Sequence, residues 1–543
     1  MTNQKLKPLT NFQESDFEGL REEQPLTAAE SYQALLRSLR RKNGFNLLFV
    51  RCSPVQADEI IRGISQDLPN KNIQVLQLDS ETDNLYEKIV DLPNYTNLNI
   101  LFVRGLENAL LRYEEAESEG YFLSSQSPVY GGTWAGVPKI LGYLNLSRER
   151  FERQFPFTLV FLLPEFALRY FIRRASDFFD WYSGVYEFPT DKDILEREIR
   201  RLVYLDGDLD TYQQFTPQQR QEKLAEIKAY LSDSPSLDPV QASKLLHKKG
   251  LIHAMGKEYE QAIASYDRAL EIKPDKHEAW YNRGVALGNL GRFEQAIASY
   301  DRALEIKPDF HQAWNNRGNA LDDLGRLEEA IASYDRALEF KPDYHQAWYN
   351  RGNALGNLGR YEEAIASYDR ALEFKPDFHE AWYGRGVALD DLGRFEQAIA
   401  SYDRALEIKP DYPDAWYGRG VALGNLGRFE EAIASYDRAL EIKPDYPDAW
   451  YGRGVALGNL GRFEEAIASY DKALEIKPDF HLAWNYRGVA LADLGRFEEA
   501  IASYDRALEF KPDYPDAWYG RGVALGNLGR FEEAIASWDR ALE

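Results

Sequence analysis

Apolar and small residues recur at helical spacing through the C-terminal part of the chain. In the segment 413–446, Trp416 and Gly420 lie on one face of a first predicted helix. A second predicted helix carries one inward stripe, made of Ala432, Tyr436, Ala439 and Leu440. Gly427 is placed to end the first helix and Pro444 to end the second. The pattern predicts an antiparallel helical hairpin in which Gly420 permits close approach.

This unit repeats every 34 residues. Its tryptophan recurs at Trp280, Trp314, Trp348, Trp382, Trp416, Trp450, Trp484 and Trp518. Such a period is typical of a helix-turn-helix solenoid. We expect units beginning at 243, 277, 311, 345, 379, 413, 447, 481 and 515, the last of them incomplete. The first unit has Leu246 at the tryptophan position and Lys248 and Lys249 nearby, which predicts a polar capping repeat. The last unit is expected either to dock its apolar face on a partner or to be the truncated end of a longer array.

Residues 26–205 follow a different pattern, in which apolar runs alternate with helical segments. The runs are FNLLFVRC (45–52), IQVLQL (73–78), LNILFV (98–103) and FTLVFLL (157–163). Two helices are predicted to open on capping boxes: one before the first run, from Thr27 to Glu30, and one after it, from Ser53 to Gln56. Apolar strands alternating with helices predict an α/β domain whose parallel sheet is covered on both faces.

The remaining segments are polar. Residues 1–25 are predicted to form a polar N-terminal segment, 114–132 a loop, and 206–242 a linker with one helix at about 217–231. The first 25 residues lack the apolar stretch of a secretory signal, and no apolar run is long enough for a membrane span. The single cysteine, Cys52, cannot form an intramolecular disulfide. We therefore expect a cytoplasmic protein without membrane association.

Acidic residues exceed basic ones. The chain carries 65 Lys and Arg residues against 88 Asp and Glu residues, a formal net charge of −23. Because an acidic surface is a poor match for a phosphate backbone, we expect no nucleic-acid partner. The histidines all lie beyond residue 242 and are dispersed among the repeats, so we expect neither a metal site nor His-based catalysis. No cofactor and no enzymatic activity are expected.

The 34-residue unit resembles the tetratricopeptide repeat. The resemblance rests on Trp416, Gly420, Ala432, Tyr436, Ala439 and Pro444. One departure is regular, because Arg419 and its equivalents stand where the family usually has leucine. The resemblance implies an all-α, right-handed superhelical solenoid over 243–543. It also implies that the first helices line a concave groove for an extended peptide or a protein.

The repeats differ from one another mainly on their first helices, where the resemblance places the groove. Asparagines offer paired donors and acceptors for an extended peptide backbone, aspartates favour a basic ligand, and tyrosines supply amphipathic contact area. The candidate groove residues are Asn315, Asn316, Asn319, Asp322, Asp323, Tyr349, Asn350, Asn353, Asn357, Tyr383, Asp390 and Asp391. The alternative is that these polar residues are only a solvated surface.

Residues 26–205 resemble a P-loop NTPase of the STAND type, a class of regulatory ATPases that often precede solenoid repeats. The resemblance rests on FNLLFVRCSPVQADEI, LNILFVRGLENAL and FTLVFLLPEFALRYFIRRASDFFDWYSGVYEF. The segment 52–57 lacks the glycines and the lysine of a phosphate loop, and Arg104 stands where an aspartate would hold the metal. We therefore expect a degenerate, inactive module without nucleotide-binding residues.

Together these features predict a non-enzymatic interaction scaffold or sensor. The repeats would bind an extended peptide or protein, with a preference for basic residues. The N-terminal module would serve as a docking or oligomerisation platform, which leaves self-association open. The resemblance associates this layout with bacterial signalling or defence. The alternative is a regulatory STAND NTPase that binds ATP or GTP through a divergent loop.

Overall fold

The computed structural model describes residues 27–41, 44–79, 82–111, 138–189, 199–202, 209–233 and 237–543. The predicted N-terminal segment 1–25 and the predicted loop 114–132 lie outside these residues. The chain divides into two compact units, Met1–Arg292 and Phe293–Glu543.

The first unit is built on a five-stranded parallel sheet. Its strands are β1 (Asn46–Arg51), β2 (Ile73–Gln77), β3 (Ile100–Arg104), β4 (Thr158–Leu163) and β5 (Gly184–Glu187), in the order β2-β3-β4-β1-β5. The four predicted strands are confirmed with shifts of one or two residues at their ends. The fifth strand was not predicted, because this short edge strand has half-buried and exposed residues in place of an apolar run.

Helices cover both faces of this sheet. They are α1 (Ala28–Arg41), α2 (Pro54–Asp67), α3 (Leu85–Val90), α4 (Lys139–Gln154), α5 (Glu165–Arg174) and α6 (Ser176–Phe179). Alternate residues of β1 enter two separate cores, with Leu47 and Phe49 in one and Leu48 and Val50 in the other. Both predicted capping boxes are present. The amide of Glu30 donates to Thr27 Oγ1 at 3.3 Å, and the amide of Gln56 donates to Ser53 Oγ at 3.3 Å.

The predicted linker contributes to the core of the first unit. The helices that follow the sheet are α7 (Leu209–Gln213), α8 (Pro217–Asp233), α9 (Pro239–Met255), α10 (Tyr259–Ile272) and α11 (His277–Asn289). Leu224 and Tyr230 of α8 and Ile252 of α9 are buried in the same apolar cluster as β1 and β4. The first repeat is therefore more than a polar cap, and its Lys249 is only 7% exposed.

The second unit contains only helices. They are α12 (Phe293–Ile306), α13 (His311–Asp323), α14 (Leu327–Phe340), α15 (His345–Asn357), α16 (Tyr361–Phe374), α17 (His379–Asp391), α18 (Phe395–Ile408), α19 (Pro413–Asn425), α20 (Phe429–Ile442), α21 (Pro447–Asn459), α22 (Phe463–Ile476), α23 (His481–Asp493), α24 (Phe497–Phe510), α25 (Pro515–Asn527) and α26 (Phe531–Leu542). In each repeat from 311 onward, a first helix packs against a second helix, as predicted. No helix in the described part of the chain is long and apolar enough to cross a lipid bilayer.

One repeat shows how the sequence holds each pair together. A Cβ on Gly420 would lie 2.6 Å from the Tyr436 ring, so only glycine permits this approach. Gly427 follows the first helix with φ of 72°, a left-handed conformation that glycine adopts without strain. The indole of Trp416 donates to the carbonyl oxygen of Pro410 at 2.9 Å, which ties the first helix to the turn before it.

Candidate functional site

The first helices of the second unit form one surface. Within that unit, α13 contacts α15, α15 contacts α17, and the same contact recurs along the remaining first helices. We call this surface the first-helix face; it consists of the solvent-facing residues of α13, α15, α17, α19, α21, α23 and α25. All twelve candidate groove residues belong to α13, α15 or α17, and all of them except the buried Asn315 are at least partly exposed.

Four of the candidate asparagines are brought together across the junction between α13 and α15. The amide of Asn350 donates to Asn315 Oδ1 at 3.1 Å and to Asn319 Oδ1 at 2.9 Å. Asn315 donates in turn to Asn316 Oδ1 at 3.2 Å. Asn315 is only 3% exposed, so its amide takes part in this network from a buried position and presents little surface to a ligand.

The side-chain amides of Asn353 and Asn357 form fewer hydrogen bonds within the protein. The hydroxyl of the buried Tyr368 donates to Asn353 Oδ1 at 2.8 Å, which orients the carboxamide and leaves its NH₂ group without a partner among the described residues. Asn357 is exposed and makes no hydrogen bond within the described chain. These two amides can therefore donate to a carbonyl group outside the protein.

The two candidate tyrosines are part of an aromatic ladder within the array. The Tyr349 ring lies 5.0 Å from Phe378 and 6.0 Å from Tyr368. The Tyr383 ring lies 5.1 Å from Tyr412. Both tyrosines are half-buried, so their rings stabilise the stacking of neighbouring repeats and are only partly open to a ligand.

The four aspartates form two adjacent pairs. In each pair the first residue is half-buried and the second is exposed: Asp322 beside Asp323, and Asp390 beside Asp391. Burial, reinforced by the charge of Asp391, raises the pKa of Asp390 to about 6, and burial also raises the pKa of Asp322. The Oδ1 atoms of Asp322 and Asp390 are buried and accept no hydrogen bond within the described chain. Each is an acceptor suited to a cationic donor.

Family comparisons identify the second half of the chain. The tetratricopeptide repeat family matches residues 281–345, 349–413, 409–447, 417–479, 451–515 and 487–543, and a second model, described as TPR repeat, matches 250–291. The C-terminal array consists of tetratricopeptide repeats. Tetratricopeptide repeats are typically protein-interaction scaffolds, and the family match supports this role for the array.

Several solved structures are similar to the tetratricopeptide array. YrrB, described as a TPR protein with an unusual peptide-binding site, is 30% identical over 34% of this chain and 95% of its own, with a TM-score of 0.31. MamA is 27% identical over 31% of this chain and 92% of its own, with a TM-score of 0.30. A tetratricopeptide repeat protein from Parabacteroides merdae is 20% identical over 48% of this chain and 98% of its own, with a TM-score of 0.36. No curated protein matches the chain.

The regular arginine of these tetratricopeptide repeats has a structural role that sequence reasoning did not find. Arg419 Nε donates to Asp403 Oδ1 of the preceding second helix at 2.7 Å, and Arg419 Nη1 donates to Ser435 Oγ of its own second helix at 2.7 Å. The guanidinium also lies 5.9 Å from the Trp416 ring. The same contacts recur at Arg317, Arg351, Arg385, Arg453, Arg487 and Arg521. The signal was available, since the arginine, aspartate and serine are unchanged in these repeats at intervals of 16 residues.

The sheet of the first unit has a crevice where ligands bind in many α/β folds. Connections from β1 and β4 lead to opposite edges of the sheet, so the carboxyl ends of these neighbouring strands form a topological switch point. Here Arg51 Nη2 lies 3.2 Å from Glu165 Oε2, and Arg51 Nη1 lies 3.4 Å from Glu187 Oε2. An ion-paired cluster thus occupies the ends of β1, β4 and β5.

The phosphate loop of an NTPase would lie at the start of α2. Here the hydrogen bonds of this segment are made with other protein groups. Gln56 Oε1 accepts from the amide of Ser53 at 3.0 Å, and Gln56 Nε2 donates to the carbonyl of Pro189 at 3.2 Å. Arg104, at the position of the missing acidic residue, pairs with Asp58. In the described part of the chain no group of His, Cys, Asp and Glu could hold a metal ion. Cys52 is buried at the end of β1.

Proposed function

We propose that the first-helix face between α13 and α17 binds an extended, basic segment of a partner protein. The observation that carries this proposal is the pair of buried carboxylate oxygens on Asp322 and Asp390, which accept no hydrogen bond within the described chain. A buried acceptor left unpaired costs about 1–3 kcal/mol, and a Lys or Arg donor would satisfy it.

In this proposal the asparagines hold the peptide backbone and the aspartates select its side chains. Asn353 and Asn357 would donate to backbone carbonyls of the ligand. Asp322 and Asp390 would each accept from a basic side chain, one on either side. The network of Asn315, Asn316, Asn319 and Asn350 would keep the amide groups in place between them.

The experiment selects ligands for the full chain from a phage-displayed library of random dodecapeptides. We expect enriched peptides to contain two basic residues and to bind at least about tenfold more weakly to the Asp322→Asn, Asp390→Asn double variant. Asp445→Asn with Asp479→Asn is the matched control, because it removes the same charge from exposed residues of the turns. An equal loss of peptide affinity in both double variants would mean that only net charge matters, and it would contradict the groove assignment.

A second variant tests the amides. Asn319→Val with Asn353→Val introduces the residue that the chain itself carries at Val387 and Val421, so the fold has a precedent for it. We expect this variant to weaken peptide binding. Unchanged affinity would remove the asparagines from the site.

For residues 26–205 we propose an inactive STAND-like module that acts as a docking or oligomerisation platform. Support comes from the internal cap at the start of α2 and from the Arg51 ion pairs at the switch point. The alternative is nucleotide binding through a divergent loop. A ligand at 100 times its dissociation constant adds about 2.7 kcal/mol of stability, so a rise in melting temperature with ATP or GTP and Mg²⁺ would favour the alternative.

A further inference from the structure

One repeat outside the candidate groove carries a side chain that its neighbours lack. Tyr486, in α23, occupies a position that is asparagine or glycine in the repeats that begin at 277, 311, 345, 379, 413, 447 and 515. Those residues are Asn282, Asn316, Asn350, Gly384, Gly418, Gly452 and Gly520. Tyr486 is 37% exposed on the first-helix face, and its ring packs edge-on against Tyr451 at 5.7 Å.

The glycines show what normally fills this position. A Cβ on Gly418, Gly452 or Gly520 would lie 2.6–2.7 Å from the tyrosine ring of the preceding repeat, so that ring covers the glycine. In the repeat at 481, the side chain of Tyr486 stands at this position in place of the glycine. The Tyr470 ring keeps its close approach to Gly454 of its own repeat, where a Cβ would lie 2.5 Å from it, against 2.6 Å between Gly420 and Tyr436.

These two tyrosines, Tyr470 and Tyr486, border a cavity of about 180 Å³ between α21 and α23. Its apolar walls come from Val455, Phe463 and Val489, and its aromatic walls from Tyr470 and Tyr486. Its acidic residue is Asp493, which is exposed and forms no ion pair or hydrogen bond within the described chain. At the position of Asp493 the other repeats from 277 onward carry asparagine or aspartate, but none of them has a tyrosine at the position of Tyr486.

The cavity is chemically complementary to a cation on an aliphatic chain, because it combines apolar walls, tyrosine rings and a carboxylate. Lysine and arginine bury their methylene groups along apolar surface, and their charged ends are attracted both to tyrosine faces and to carboxylates. We propose that this cavity is a subsite for one lysine or arginine side chain of a bound segment. The inference rests on the proposed peptide-binding function and adds a second recognition point, two repeats beyond the candidate groove.

The test places a reporter in the cavity itself. The full chain is prepared with 3-fluorotyrosine in place of Tyr486, and its ¹⁹F resonance is followed by NMR during titration with Nα-acetyl-lysine methylamide. We expect a saturable shift, a similar shift with the arginine analogue, and at least a fivefold weaker response to the uncharged norleucine analogue. A response to norleucine as strong as that to lysine would overturn the proposal.

Variants separate the cavity from general electrostatic attraction. Asp493→Asn introduces the residue found at Asn459 and Asn527, and it should weaken the lysine response at least fivefold. Asp445→Asn, in an exposed turn, should leave the response unchanged. An undiminished response in Asp493→Asn would overturn the proposal. Because the probe is a single amino acid, this result does not depend on the peptide selection, so the cavity and the groove can fail separately.

Discussion

Arg419 is the residue that most clearly separates these repeats from the usual consensus. Its guanidinium bridges the second helices of two successive repeats through Asp403 and the buried Ser435. A planar group with several fixed donors can serve both acceptors at once, which leucine cannot. The arginine therefore replaces apolar packing with a directional contact at each junction.

Replacing this arginine should weaken the junction. We expect Arg419→Leu to lower the free energy of unfolding by about 1–2 kcal/mol, because the buried Ser435 loses a charged donor and Asp403 loses its partner. Urea unfolding followed by circular dichroism would measure the change. Arg428→Leu is the control in the same repeat, since Arg428 pairs only with the exposed Glu431, and it should have little effect.

Asp390 makes stability depend on pH with a definite sign. Its pKa rises from the ordinary value of 3.8 to about 6 in the folded chain, mainly through burial. The folded state therefore binds this proton more tightly than the unfolded state, and the stabilisation present below pH 4 is lost as the pH rises through about 6. We expect Asp390→Asn to be more stable than the parent at pH 7.5, with the difference shrinking towards pH 4. A difference that grew on acidification would contradict this assignment.

At the scale of helices, three glycines of one repeat should respond differently to the same substitution. Gly420→Ala should destabilise by about 1–3 kcal/mol, since its Cβ would meet the Tyr436 ring. Gly424→Ala should stabilise by about 0.4–1 kcal/mol, because this helical position is open. Gly427→Ala should destabilise although its surroundings are equally open, because its φ is 72°. Thermal unfolding of the three variants tests this order, and a uniform effect would refute it.

The helices and strands were largely readable from the sequence, and the contacts between them were not. Period and apolar pattern located the helix pairs and four strands, because those elements bury a regular face. Strand β5 was missed because it carries no such face. The burial of α8 was missed because its exposed charged residues conceal the few that enter the core, such as Leu224 and Tyr230.

The candidate site was predictable by residue type but not by availability. Asn315 seemed a free ligand donor in the sequence. Its partner Asn350 is 35 residues away, and only the stacking of α13 on α15 brings the two amides together. Tyr349 and Tyr383 likewise stabilise the array, because each packs on an aromatic ring distant in sequence, Phe378 and Tyr412 respectively. Hydrogen bonds between repeats join residues far apart in the sequence, so no local pattern reveals them. Counting the polar residues of a first helix therefore overestimates how many of them a ligand can contact.

At the scale of the whole molecule, the first repeat should unfold with the sheet. Ile252 of α9 is fully buried in the core that contains β4 and α8. We expect Ile252→Ala to lower hydrogen-exchange protection in β4 and α8 as well as in α9, because the cavity weakens one cooperative core by about 2–5 kcal/mol. Ile272→Ala, at an exposed helix end, is the control. A loss confined to α9 and α10 would mean that the repeat unfolds independently.

The arginine bridge also bears on how such a chain changes in length. Each of the seven arginines from Arg317 to Arg521 contacts an aspartate 16 residues before it and a serine 16 residues after it. Adding or removing 34 residues inside this stretch therefore re-creates the same contacts at the new junction. The segments 413–446 and 447–480 differ at only two positions, Arg438/Lys472 and Tyr446/Phe480. Unequal recombination within the gene would then yield folded arrays with different numbers of repeats. These arrays would differ in the groove side chains that their repeats carry, and selection could act on that difference.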